Sequence, residues 1–192
     1  MKKVLLIAVF CSVLSLACVA AQGNANPPNA NPADVEISFV FNRQTGSSSN
    51  QYAVWVEDSS GSLVKTLYAT RYTANGGWER RPQSIPLWVS KSGLSTMPKK
   101  DIDAFTSATP RTGSLSYGWD GTDKNGNRLA AGEYRIFLEA TLRGENRVLY
   151  SAPVTLGSGS GNAVEADVSL QYFGSGTSER GMIEGVRVVY RR

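Results

Sequence analysis

The feature that most constrains the fold is a period-2 alternation of apolar and polar residues, which starts at residue 35 and recurs along the chain. In the first segment Val35, Ile37, Phe39 and Phe41 alternate with mostly polar neighbours. Similar stretches follow at residues 52–56, 63–72, 134–142, 148–156, 164–172 and 186–190. Turn residues, rather than helical crossovers, separate these stretches, so the pattern predicts an all-β chain of about eight strands folded as an antiparallel sandwich. The alternation predicts inward-facing side chains, among them Val54, Val56, Ile136, Leu138, Val168 and Leu170.

The middle of the chain, residues 74–112, departs from this pattern. Residues 85–91 predict one short helix, with Pro86 in the first turn, where proline is tolerated. Residues 92–112 show no sustained periodicity and predict a long irregular loop. A loop of this length inside a compact domain is usually either functional or disordered.

The N-terminus predicts export. Met1, Lys2 and Lys3 precede a short apolar run, and small residues ending at Ala21 fit a cleavage site, which predicts a signal peptide over 1–21. A second interpretation remains open, in which Cys18 is lipidated after removal of 1–17 and anchors the chain to a membrane. Residues 22–33 are rich in Asn, Pro and Ala and predict a tether, which leaves 34–192 as a single domain.

Composition excludes several kinds of chemistry. The chain has no histidine, and its two cysteines, Cys11 and Cys18, both lie in the leader. Catalysis by Ser-His-Asp or Cys-His groups, histidine–zinc centres and iron–sulfur clusters are therefore excluded from the mature domain. The net charge of +4 falls to +2 without Lys2 and Lys3, and the basic residues are scattered, so we expect no nucleic-acid partner.

The string from Trp119 to Tyr134 is rich in Gly, Asn and Asp and resembles the W-D-G…G-x-Y signature of immunoglobulin-like modules. The resemblance implies an immunoglobulin-like β-sandwich and says nothing about activity. Asp120 and Asp123 also offer oxygen ligands for calcium, but the spacing does not match an EF-hand and ordinary turn chemistry explains it better. Six aromatic residues are predicted to fill the core or to line a carbohydrate surface, and the sequence does not separate these alternatives: Tyr52, Trp55, Trp78, Trp88, Tyr117 and Trp119.

The most specific motif lies in the irregular middle. The string Asp103-Ala104-Phe105-Thr106-Ser107-Ala108-Thr109 matches the pattern D-x-x-[ST]-[GS]-A-T. It resembles the acceptor motif of extracytoplasmic proteins that receive FMN covalently from a flavin transferase, such as the FMN-carrying subunits of ion-pumping reductases. The resemblance implies that FMN is bound to the Thr109 hydroxyl, and that Asp103, Thr106, Ser107 and Ala108 form the rest of the site. Ser107 stands where glycine is commonest.

The segment from Tyr52 to Leu87 is similar to a family of bacterial periplasmic proteins known only as a domain of unknown function, whose members accompany flavin transferases and membrane electron-transfer proteins. These resemblances imply an extracytoplasmic FMN carrier, with a flavin transferase and a membrane electron-transfer protein as partners. Such a protein moves electrons and need not be an enzyme. The rival hypothesis is a non-redox immunoglobulin-like binding or assembly module of the bacterial envelope.

Overall fold

The computed structural model describes residues 34–46, 49–157, 161–176 and 180–191. The expected signal peptide over 1–21, Cys18 and the tether over 22–33 lie outside these residues. The described chain forms two β-sheets that pack face to face, with a layer of short helices on the outer face of the larger sheet. No helix in these ranges is both long and apolar enough to cross a membrane.

The smaller sheet has four strands, in the order β5 (Gly113–Trp119), β1 (Val35–Phe41), β10 (Ile183–Arg191) and β8 (Ala163–Glu165). The larger sheet has six, in the order β4 (Thr106–Ser107), β3 (Leu63–Thr70), β2 (Gln51–Asp58), β6 (Gly132–Arg143), β7 (Asn146–Leu156) and β9 (Ser169–Phe173). All pairs are antiparallel except β3 and β4, which run parallel.

The main core lies between the sheets and is formed by the inward side chains of the alternating segments. Val54, Val56, Ile136 and Leu138 are at most 2% exposed, as the alternation predicts. A second apolar cluster lies on the other face of the larger sheet, where Trp55 meets Trp88 and Ile102. This second cluster explains why β2 is buried on both faces.

The helical layer contains α1 (Trp78–Arg80), α2 (Pro86–Ser92) and α3 (Lys99–Phe105), preceded by a wide turn at Thr73–Gly77. Glu139 of β6 connects this layer to the sheet, because its buried carboxylate accepts hydrogen bonds from the backbone N–H groups of Leu87 (3.2 Å) and Trp88 (2.9 Å). Arg147 of β7 donates a third hydrogen bond to it, at 2.8 Å. A strand side chain thus satisfies N–H groups in the first turn of α2 that have no partner within the helix.

The β-sandwich and the helix at residues 85–91 are confirmed, and two expectations are wrong. The long irregular loop contains a further helix, α3, and a short strand, β4, so the chain has three short α-helices in the described residues instead of one. Residues 164–172 do not form one strand, because the chain crosses from the smaller sheet at β8 to the larger sheet at β9. As a result Leu170 is 47% exposed and Val168 is only partly buried.

Candidate functional site

The acceptor segment, residues 103–109, begins on α3 and ends just beyond β4. The apolar side of α3 holds it in place: Ile102 is buried in the second cluster, and Phe105 meets the Trp88 ring edge-on at 6.0 Å. Thr106 and Ser107 then pair with Ala69 and Thr70 of β3. The motif therefore lies on a supported helix–strand unit, where the sequence predicted irregular structure.

Two of the motif residues are in very different surroundings. Asp103 is exposed and forms an ion pair with Lys99 one helical turn earlier, at 2.9 Å. Thr106 is buried, at 8% exposure, and its hydroxyl has no hydrogen-bond partner among the described residues. A partner protein can thus reach Asp103 directly, whereas Thr106 is covered.

Ser107 and Ala108 lie beside the tyrosine cluster of the main core. Ser107 is exposed and has a negative φ, so glycine is not required by the backbone at this position. The Tyr68 hydroxyl donates to the Ala108 carbonyl at 3.2 Å. Burial raises the pKa of Tyr68, which keeps this hydroxyl protonated and able to donate. Tyr68 in turn stacks on Tyr52 at 4.8 Å, so the backbone after β4 is bonded to the rigid interior of the sandwich.

Thr109 is the first motif residue beyond the sheet, and it is partly exposed. Its hydroxyl has no partner in the part of the chain that the structure describes, while its carbonyl accepts from the Arg43 guanidinium at 3.3 Å. The backbone N–H of Arg43 also donates to the Thr112 hydroxyl at 3.0 Å. A free hydroxyl is therefore presented next to an exposed positive charge. Arg43 comes from the β1–β2 connection, and no pattern in the sequence marked it.

An open groove of about 860 Å³ lies next to the acceptor segment. We call it the basic groove, because three cations line it against two acids. Its polar and aromatic lining comes from the end of β3, the wide turn, α1 and α3: Arg71, Tyr72, Asn75, Glu79, Arg80, Lys99 and Asp103. Asp103 belongs to both the groove and the motif. The sequence did not predict this groove, since its residues come from separate segments without a shared periodicity.

The groove and Thr109 lie at the same end of the larger sheet. Because β3 and β4 are parallel and Thr70 pairs with Ser107, both chains leave the sheet in the same direction. Arg71 and Tyr72 follow one strand, and Ala108 and Thr109 follow the other. The pairing thus places Thr109 and the residues that follow β3 at the same end of the larger sheet.

The glycine-rich string after Trp119 forms a structural turn. The Asp123 carboxylate accepts from the backbone N–H groups of Asn125 and Asn127, both at 2.8 Å, and Asp120 accepts from Lys65 at 3.0 Å. The Asp123 carboxylate stabilises its own turn, and Asp120 forms an ion pair with Lys65 of β3, in agreement with the turn interpretation. Within the described ranges, no group of three or more His, Cys, Asp or Glu side chains is arranged to hold a metal ion.

The aromatic residues that the sequence left unassigned belong to the interior. Tyr52, Trp55, Trp88, Tyr117 and Trp119 are each at most 1% exposed, and Trp78 is partly buried against the second cluster. Tyr52 and Tyr117 share a hydrogen bond between their hydroxyls at 2.6 Å. The five buried rings are therefore core residues and do not line a carbohydrate surface. The exposed aromatic ring near the acceptor segment is Tyr72, at 43%.

The fold defines a β-sandwich protein with a helical layer on one sheet. The chain belongs to the family whose model is described as "Predicted periplasmic protein (DUF2271)", which matches residues 33–172. This membership supports the exported, periplasmic location expected from residues 1–21. Comparisons with curated proteins and with solved structures returned no match.

Proposed function

We propose that this protein is a periplasmic flavin carrier, with FMN attached through its phosphate to Thr109 by a flavin transferase. The observation that carries the proposal is the Thr109 hydroxyl at the end of the D-x-x-T-S-A-T motif, which has no partner among the described residues and lies on a short segment held by the sheet. A membrane electron-transfer protein is the expected redox partner, and lipidation of Cys18 would keep the carrier close to it.

The surroundings of Thr109 suit a phosphate ester. Arg43 lies at the Thr109 carbonyl, so its positive charge is near the position of the phosphate. Both groups are exposed, so solvent screens this attraction and it orients the phosphate more than it stabilises it. The Tyr68 hydroxyl and the β3–β4 pairing hold the backbone on either side of Ala108. While β4 is paired, this backbone presents the hydroxyl at the surface of a rigid scaffold.

In the proposed attachment reaction, FAD donates its FMN half to Thr109. The Thr109 Oγ1 forms a bond to the phosphorus of the FMN half, the pyrophosphate bond breaks, and AMP leaves. The hydroxyl proton goes to a base of the transferase, which also supplies the divalent cation. Once attached, FMN supplies the reversible electron transfer, and the protein supplies position and charge.

Peptide mass spectrometry after co-expression with a periplasmic flavin transferase tests the proposal. The mature chain should gain the mass of FMN less water, and the modified peptide should contain Thr109. Thr109→Ala should abolish the addition, whereas Thr109→Ser should retain part of it because a hydroxyl remains. Thr112→Ala is the matched control, since it removes a nearby threonine of the same loop and should leave the addition intact.

Two further variants test the motif. Asp103→Ala should lower the yield of modification without unfolding the protein, because Asp103 is exposed and its only described ion pair is with Lys99. Ser107→Gly should preserve or raise the yield, since it restores the commoner residue. An unmodified wild-type chain, with a transferase shown to be active on its own acceptor, would refute the proposal and leave the non-redox module as the better hypothesis.

A further inference from the structure

We infer that the basic groove seats the isoalloxazine ring of the flavin on Thr109, with the ring stacked on Tyr72. This inference rests on the proposed function and assigns a ring-binding site to residues outside the motif. The observations behind it are the shared sheet end, the exposed Tyr72 ring, and the excess of cations in the groove.

The position of the groove matches the attachment point. Tyr72 and Thr109 each lie two residues beyond the paired residues Thr70 and Ser107. Two residues extend a chain by at most about 7 Å, so both residues lie close to the end of the sheet where β3 and β4 stop. The five-carbon ribityl arm of FMN separates the phosphate from the ring, so a ring attached through Thr109 reaches beyond its own loop. The basic groove lies at this end of the sheet and is bordered by Asp103 of the same motif.

Tyr72 is held as a platform. A Cβ atom at Gly77 would lie 2.7 Å from two carbons of the Tyr72 ring and closer still to the Tyr72 carbonyl oxygen, so the ring packs directly against the Gly77 backbone. The Arg81 guanidinium lies 5.9 Å from the ring centre. Despite these contacts, Tyr72 remains 43% exposed. A fixed aromatic ring with an open surface is suited to stacking on a flat heterocycle.

The positive charges of the groove suit a flavin ring, which gains negative charge when it is reduced. Arg71, Arg80 and Lys99 outnumber Glu79 and Asp103, and Lys99 is already paired with Asp103. Arg71 and Arg80 can therefore donate to the ring carbonyl oxygens and stabilise the negative charge that the ring gains on reduction. Removing either charge should make the reduction potential of the bound flavin more negative.

Two measurements on the full mature chain test the inference, and neither depends on activity. In the first, riboflavin is titrated against the unmodified chain and its fluorescence is followed. Tyr72→Ala should weaken binding about tenfold or more, as the loss of a stacking platform does elsewhere, and Tyr72→Phe should restore it. The matched control is Tyr172→Ala on β9, because Tyr172 is also exposed and beside an arginine (Arg180, 4.2 Å) but lies at the opposite edge of the sheet.

In the second measurement, flavin emission and the reduction potential are compared between the FMN-loaded wild-type chain and its FMN-loaded variants. Flavin emission should be quenched in the wild type and in Tyr172→Ala, and it should rise towards that of free FMN in Tyr72→Ala. Arg71→Gln should lower the reduction potential of the flavin. If FMN is attached to Thr109 but Tyr72→Ala changes neither emission nor riboflavin binding, the groove assignment is wrong while the carrier stands. If no FMN is attached, the carrier fails, and the riboflavin titration alone decides whether the groove binds a flavin ring.

Discussion

Glu139 is the buried carboxylate on which the helical layer most directly depends. It is 0% exposed and accepts hydrogen bonds from Leu87, Trp88 and Arg147. Glu139→Gln replaces one acceptor oxygen with an NH₂ group. If Oε1 is kept, Leu87 and Arg147 still share it, but the Trp88 N–H loses its acceptor and the Arg147 guanidinium loses its charged partner. An unsatisfied buried donor costs about 1–3 kcal/mol, and breaking a buried charge pair costs about 3–5 kcal/mol. Because the Arg147 side chain is 22% exposed and keeps some hydration, we expect a loss near the lower end of the second range, about 3 kcal/mol.

Urea unfolding followed by circular dichroism measures this loss as a lower midpoint at an unchanged slope. Glu133→Gln is the matched control, since Glu133 is exposed on the same strand and its replacement should change stability by no more than about 0.5 kcal/mol. A loss below about 1 kcal/mol in Glu139→Gln would show that the N–H groups of α2 find other acceptors. The role assigned to Glu139 would then be wrong.

Two further predictions concern the main core. Ile136→Asp should unfold the domain, because Ile136 is 2% exposed and an unpaired buried carboxylate costs several kcal/mol, about the whole stability margin. A thermal melt checks this, and Arg135→Asp at the neighbouring exposed position should still melt cooperatively. Burial raises the pKa of Tyr150 from 10.0 to about 12, so its contribution to stability is complete below pH 10 and is lost as the pH rises towards 12. Tyr150→Phe should flatten part of the alkaline decline in the free energy of unfolding, and equal slopes in the two proteins would contradict the shift.

The alternating pattern predicted the strands well and their partners less well. It placed Ile136 and Leu138 in the core because one face of β6 is buried against the smaller sheet. It failed at residues 164–172, where the alternation continues but the chain changes sheets after Glu165. A period of two says which residues share a face, and not which sheet that face belongs to. Leu170 consequently lies on the outside.

The helical layer and the groove could not have been predicted from local patterns. The helix α3 spans only Lys99–Phe105, too short for a sustained period, and it depends on contacts of Ile102 and Phe105 with the second cluster. Arg43 and Tyr72 lie far from the motif in sequence, and tertiary structure brings them to it. The motif itself could be recognised from the sequence because its residues are contiguous.

The parallel pairing of β4 has a consequence for any enzyme that reads the motif. Thr106 is 8% exposed, so an enzyme that contacts its side chain does so only after β4 has separated from β3. That opening is inexpensive, because β4 has two residues at the edge of the sheet and the Thr106 hydroxyl, unpartnered when buried, recovers about 1–3 kcal/mol on reaching water. Under the proposed function, attachment of FMN would then follow this local opening of the sheet edge, and amide exchange in β4 would detect the opening.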